Sequence, residues 1–330
     1  MSRAGVAFAV LALVSVALGW LSLHIGPTSP SDADLLAVVT DLRAARSAVA
    51  YAAGAALSVA GVMVQGLFRN PLASPSILGT SGGASLGGKL SLLAFQALAT
   101  GEVARTISPD MFLPIGCLLG ALMGLGLLLL VLKASDDPVT LLLCGFLLSA
   151  LFLSFGSFVT SLAQESWELG RAVISFALGS VSGAGWRQVA LVAPLVALGT
   201  LAALTWARPL DMMLSGEEEA RALGLDVGRV RAWTIAWVAV LTAGAVAVGG
   251  NVGFVGLVVP HGLRRFVGVS HHQLLPAAAL GGGAFLLACD ILTRAIPAHS
   301  EIPLGVVTGL IGAPLFLWML LRMQQERLHG

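Results

Sequence analysis

The chain is 330 residues long, 57% apolar and only 11% charged, with a formal net charge of +1. Soluble domains carry ~25% charged residues, so the composition excludes one and points to an all-α polytopic membrane protein. The net charge of +1 by itself says nothing about nucleic acid, and no nucleic-acid partner is expected.

Residues 1–23 look at first like a signal peptide, with Arg3 ahead of a long apolar run. The run is nearer span length, and no small-x-small cleavage site precedes Trp20, so it reads as an uncleaved first span. Polar residues 24–47 follow, then a second span at about 48–67, ended by Pro71 and Pro75. Further spans read at roughly 81–98, 111–132, 139–163, 189–206, 232–249, 253–263, 274–293 and 303–321. That makes about ten. The eighth is short and contains Pro260, which a membrane helix tolerates only where protein or water covers the freed backbone.

Between the sixth and seventh spans lies a polar island, residues 208–231, holding nine of the chain's 35 charged residues. Ser215 before Glu217, Glu218 and Glu219 reads as a capped helix start, with acidic side chains on the positive end of the dipole. Arg221, Leu223 and Gly224 read as its end, Gly224 as a left-handed stop. The residues leave two readings open, an ordinary amphipathic loop or a handle for a soluble partner. With the N-terminus inside, eleven Lys and Arg fall on cytoplasmic segments against six outside. The positive-inside rule therefore puts the island and both termini in the cytoplasm.

Gly116, Gly120 and Gly124 form two overlapping G-x-x-x-G steps, and Gly305 with Gly309 another. Such steps serve helix packing within one subunit or at a dimer interface. Cys117, Cys144 and Cys289 all fall in apolar spans, which argues against disulfides and against zinc. His271 and His272 are adjacent and would point about 100° apart on a helix, so they make no metal pair. Gly83, Gly88 and Lys89 imitate a P-loop, but Leu90 stands where a Ser or Thr must hold magnesium. Asp290 is the one carboxylate clearly inside a span, and Arg294 four residues on can pair with it. No nucleophile-base pair or proton relay can be assembled around it, so the chain reads as no enzyme. An ion-coupled secondary transporter dependent on Asp290 is the alternative from another class.

Several stretches resemble one family. The run G-A-A-L-S-V-A-G-V-M-V-Q-G-L-F-R-N-P-L-A-S-P-S-I-L-G at 54–79 is similar to the permease subunits of bacterial ABC importers for iron-siderophores, haem and vitamin B12. So are G-F-V-G-L-V-V-P-H at 253–261, R-R-F-V-G at 264–268, and E-I-P-L-G-V-V-T-G-L-I-G-A-P-L-F-L-W at 301–318. The island's L-S-G-E-E-E-A-R-A-L-G, 214–224, matches the family's cytoplasmic loop. The likeness runs from about residue 43 to 322.

The resemblance implies a single permease domain, 1–330, of ten helices in the bacterial inner membrane. It would form a homodimer around a central translocation path. Two separate ATPase subunits would bring ATP and Mg, a periplasmic binding protein would deliver substrate, and this chain would bind no cofactor or metal. Leu214, Ser215, Gly216, Glu217, Glu218, Ala220, Leu223 and Gly224 become the ATPase-coupling residues. Family members begin the outer region R-L-P-R. Here Arg43-Ala44-Ala45-Arg46 keeps both arginines without the proline, and these two with Arg294 become the binding-protein docking residues. Arg171, just after the fifth span, is the expected substrate contact. Two copies across a dimer suit a dianion such as haem with its propionates, or an anionic ferric siderophore, because Arg bonds carboxylates in bidentate fashion. Its rival role is pairing with Glu165 or Glu168. Haem is the first expectation, with ferric siderophore and cobalamin after it.

Overall fold

The computed structural model describes residues 3–26, 32–98, 109–134, 138–296 and 302–329. Among these residues the chain is helical throughout. In order come α1 (Arg3–His24), α2 (Ala33–Leu67), a 3-10 turn (Pro75–Leu78), α3 (Thr80–Leu98), α4 (Pro109–Ala134) and α5 (Pro138–Ala163). After them come α6 (Trp167–Leu178), α7 (Trp186–Thr205), α8 (Ala207–Leu214), α9 (Glu217–Ala222) and α10 (Val227–Gly249). The chain closes with α11 (Val255–Val267), α12 (His271–Ala295) and α13 (Leu304–His329). Eight of these helices are long and apolar enough to cross a membrane. With α3 and the shorter α11 they make the ten expected.

Two expected boundaries move. The second span does not begin at 48: α2 starts at Ala33, where the Asp32 carboxylate accepts from the Asp34 N–H, and runs 35 residues. At ~1.5 Å per residue that is about 50 Å, well beyond a ~30 Å hydrocarbon core, so most of the polar stretch is helix standing out of the bilayer. The eighth span becomes a 13-residue helix, α11, only about 20 Å long and too short to cross alone.

The core is a bundle of α2, α10, α11 and α12 brought together by glycine. Gly54 faces the Gly282 carbonyl of α12, and Gly61 the Gly256 carbonyl of α11, so closely that a Cβ at either position would overlap them. Without side chains between them the backbones approach directly, as membrane helices do at small residues. The first G-x-x-x-G series works within the subunit: Gly116 and Gly120 of α4 face the carbonyls of Gly87 and Gly83 on α3. The second does not act as one seam. Gly305 lies against the Leu178 and Asn251 carbonyls, while Gly309 faces open space.

Candidate functional site

At one end of the bundle, two guanidinium groups converge on a single carboxylate, with a third bonded to the backbone nearby. Asp290 of α12 is fully buried and bonds Arg294, one turn on, at 2.9 Å and Arg46 of α2 at 2.9 Å. Arg46 also donates to Thr293 Oγ1, and Arg294 to the Ser22 carbonyl. Arg43, 8% exposed, donates to the Leu23 carbonyl. The expected pair of Asp290 with Arg294 forms, and Arg46 joins it.

Arg43, Arg46 and Arg294, the residues expected at the docking surface, are thus engaged within the chain. A buried carboxylate needs cationic partners, and buried guanidiniums need acceptors, so the three side chains turn into the bundle and tie α1, α2 and α12 together.

Near the same end, α6 carries Arg171 on the wall of a cleft of about 880 Å³. Trp167, Ser175, Ser180, Ser182 and Pro303 line it too. Arg171 is exposed there, and among the described residues it forms no ion pair with Glu165 or Glu168. The rival role is therefore not taken up. Gly179 ends α6 at φ +77°, a left-handed turn that glycine adopts without strain. The turn is fastened on both sides: its carbonyl accepts from Leu304 N–H of α13, and the Phe176 carbonyl accepts from Asn251 N–H. The helix bearing Arg171 is thus bonded to the linker between α10 and α11.

That linker, 250–254, meets the 3-10 turn of Pro75–Leu78 within the depth of the bundle. Pro75 lies beside Gly256, which itself sits against the Leu57 carbonyl, ten residues or about 15 Å back from the end of α2. Between the two irregular segments is a cavity of about 220 Å³, lined by Ser74, Ser76, Ser81, Thr242 and Asn251 among others. The Thr242 hydroxyl is buried there with no hydrogen-bond partner among the described residues. Irregular backbone at membrane depth is tolerated where protein buries it or a wet cavity is lined by it.

The opposite end carries the island, which is two helices rather than one. Residues 207–214 form α8, and α9 spans only six residues, Glu217–Ala222. Ser215 is not the cap: it closes α8 in helical conformation, and Gly216 at φ +134° precedes α9 with no side-chain cap bond. Gly224 is left-handed, at φ +83°, as its position predicts. Glu217 bonds Arg231 of α10 at 2.6 Å, and Ala220 is buried, so the base of α9 is fixed. Its outer side presents Glu218 and Glu219 between Leu214, 40% exposed, and Leu223, 69% exposed.

The sequence reading missed what holds α8. The Asp211 carboxylate accepts from His271 N–H at 2.9 Å, contacts His271 Nδ1 at 2.6 Å, and accepts from the Ser270 hydroxyl at 3.1 Å. His271 was weighed only as a metal ligand; no group of three or more potential ligands exists among the described residues. Only an acidic residue on the amphipathic 207–214 stretch hinted that α12's first turn needed a partner.

Residues 5–322 match the FecCD transport family. The chain belongs to this family.

It is a transport permease. Among its relatives is the Fe(3+) dicitrate transport system permease protein FecD of Escherichia coli K12, 37% identical over 98% of this chain and 100% of the relative. The hemin transport system permease HmuU of Yersinia pestis is 35% identical over 96% and 94%. A vitamin B12 import permease, BtuC of Vibrio cholerae, is 38% identical over 86% and 83%. A solved structure described as a metal-chelate type ABC transporter in an inward-facing conformation superposes with a TM-score of 0.83. It is 31% identical and covers 97% of this chain and 99% of its own.

Proposed function

We propose that this FecCD permease moves an anionic, carboxylate-bearing iron chelate into the cytoplasm, haem first and ferric dicitrate second, driven by ATP hydrolysed on a partner subunit. The observation that carries the substrate class is Arg171, a guanidinium without an ion-pair partner among the described residues, exposed in an 880 Å³ cleft. A cleft of this size accommodates a chelate of haem dimensions, and guanidinium pairs recognise carboxylates by charge-assisted, bidentate hydrogen bonds. Relatives named for dicitrate-iron and for hemin both fit a carboxylate-recognising site. In a homodimer two copies of the cleft would face one path.

The exposed side of α9 is the proposed seat of the ATPase. Leu214 and Leu223 are apolar groups on a polar, extramembrane segment, where exposure to water is unfavourable and cover by a protein is favoured. The Asp211–His271 and Glu217–Arg231 bonds join this knob to α12 and α10, so force applied to it reaches the core helices. The binding protein is proposed to meet the Arg171 end of the bundle.

The test is transport into liposomes holding the permease and its ATPase, with ATP inside and binding protein outside. Wild-type protein should take up haem or ferric dicitrate only with ATP. Arg171→Ala should lower uptake at least tenfold while leaving ATPase docking intact. Glu218→Arg should abolish ATP-driven uptake and docking together. Uptake unchanged by Arg171→Ala, or preference for a neutral corrinoid, would sink the substrate reading. Uptake without ATPase would favour an ion-coupled carrier.

A further inference from the structure

At the island end of the bundle, α1 and α11 enclose a groove of about 520 Å³. Its walls are Val6, Val10 and Leu11 on one side and Leu263 and Phe266 on the other. Arg3 and Arg265 stand among the same lining residues. The groove lies beside the half of α1 where Ala7, Phe8 and Leu11 pack on the core while Val6 and Val10 stay exposed. Near its C-terminus the Ser22 and Leu23 carbonyls accept from Arg294 and Arg43, and midway the Ser15 hydroxyl contacts the Tyr51 hydroxyl at 3.0 Å. Toward its N-terminus the helix presents apolar side chains outward, Val6 at 48% and Val10 at 52% exposure, opposite Phe266 at 63%.

The floor of the groove is set by glycine. Gly281 of α12 lies beneath Leu11 and Leu263, whose methyl carbons are within 3.7 and 3.0 Å of where its Cβ would stand. A larger residue there would lift both side chains and fill the space. Three features therefore coincide: an apolar trough with exposed walls, a place where α1 begins and α11 finishes, and two cations among the lining.

We infer that this groove holds one anionic phospholipid, an acyl chain along Val6, Val10 and Phe266 and the phosphate between Arg3 and Arg265. In a bilayer the molecule present in excess with an apolar chain and an anionic head is a phospholipid. Basic pockets between helices near the membrane surface select anionic head groups. Arg265 has another interaction within the chain. A guanidinium carries five N–H donors in a planar fork, which serves a second acceptor without giving up the first. Bound there, the lipid adds to the contact between α1 and α11, next to the helix leading into His271 and the Asp211 clamp.

Native mass spectrometry of the full-length permease, delipidated and then offered phosphatidylglycerol or phosphatidylcholine with the same acyl chains, tests the assignment. One phosphatidylglycerol per chain should survive, preferred over phosphatidylcholine by on the order of tenfold, since each surface arginine adds a few-fold to anionic-lipid affinity. The double variant Arg3→Gln/Arg265→Gln should lose that preference. Arg322→Gln, outside the groove, should keep it. Val10→Trp fills the trough with both arginines in place and should displace the lipid.

A photoreactive benzophenone side chain at position 266 gives a readout independent of these variants. It should form an adduct of phosphatidylglycerol mass when the permease is reconstituted in mixed vesicles. Equal binding of the two lipids, an unchanged preference in the double variant, or a cross-link to protein instead of lipid would each overturn the proposal.

Discussion

Helices α2, α10 and α12 and helices α5, α7 and α13 are alike in hydropathy, and each is long enough to span a bilayer. Their surroundings differ sharply. Inside the chain 89% of α2's span and 72% of those of α10 and α12 are buried, against 22% for α5 and α7 and 28% for α13. Hydrophobicity therefore drives both groups into the membrane and does not decide which pack against each other. Lipid tails are as apolar as leucine, so association within a bilayer must come from close backbone approach and from polar bonds. Helices α2 and α12 have both: Gly54, Gly61 and Gly282 at crossing points, and the Asp290–Arg46–Arg294 cluster. The second group carries leucine and phenylalanine outward, as at Leu147, Leu153, Phe155 and Phe158 of α5.

The contrast can be broken most severely at Asp290. Asp290→Ala should destabilise the detergent-solubilised permease by about 3–5 kcal/mol, because it strands buried guanidiniums rather than deleting a bond alone. Asp290→Asn, isosteric but uncharged, should lose nearly as much. Thermal unfolding followed by size-exclusion chromatography would read it, and a melting temperature within a degree of wild type would remove the cluster from the account of the core.

A smaller loss is expected at the α2–α11 crossing. The Cβ of Gly61→Ala would collide with the Gly256 carbonyl, a backbone group that cannot rotate away. Overpacking of this kind costs roughly 1–3 kcal/mol. Gly309→Ala, with open space at its Cβ position, is the matched control and should be silent.

The smallest effect belongs to the outer group. Leu153→Ala on α5, at 63% exposure, should shift the stability of the isolated chain by no more than about 0.5 kcal/mol. In the homodimer proposed here α5 is a natural face for the second copy. The same substitution should then weaken self-association measured by analytical ultracentrifugation. A large loss of monomer stability would mean that α5 belongs to the core after all.

The membrane class, the number of crossings and the family were legible because each rests on local chemistry. Apolar runs of span length, proline breaks after Leu67 and the motif stretches are all contiguous. So was the left-handed Gly224, since the stop of a helix is a property of a few neighbouring residues. The island was legible as a helix start but not as two helices, because Ser215 satisfies the pattern of a cap equally whether it ends α8 or begins α9. The inward bonds of the arginines were not legible for a related reason. Charge near a span end looks exposed in sequence, and only the arrival of Asp290, 244 residues after Arg46, turns it inward.

By itself the sequence determined that this chain enters a membrane, about how many times it crosses, and that a polar stretch at 208–231 interrupts its apolar runs. Those outcomes follow from the free energy of moving each segment between water and lipid, which nearby residues settle. The tertiary structure alone decided that Asp290 gathers Arg46 and Arg294, that Asp211 holds His271, and that Arg171 forms no ion pair among the described residues and lines a cleft. Each of these depends on which helices touch, and in a bilayer that choice is made by close packing and buried polar bonds between residues far apart in the chain.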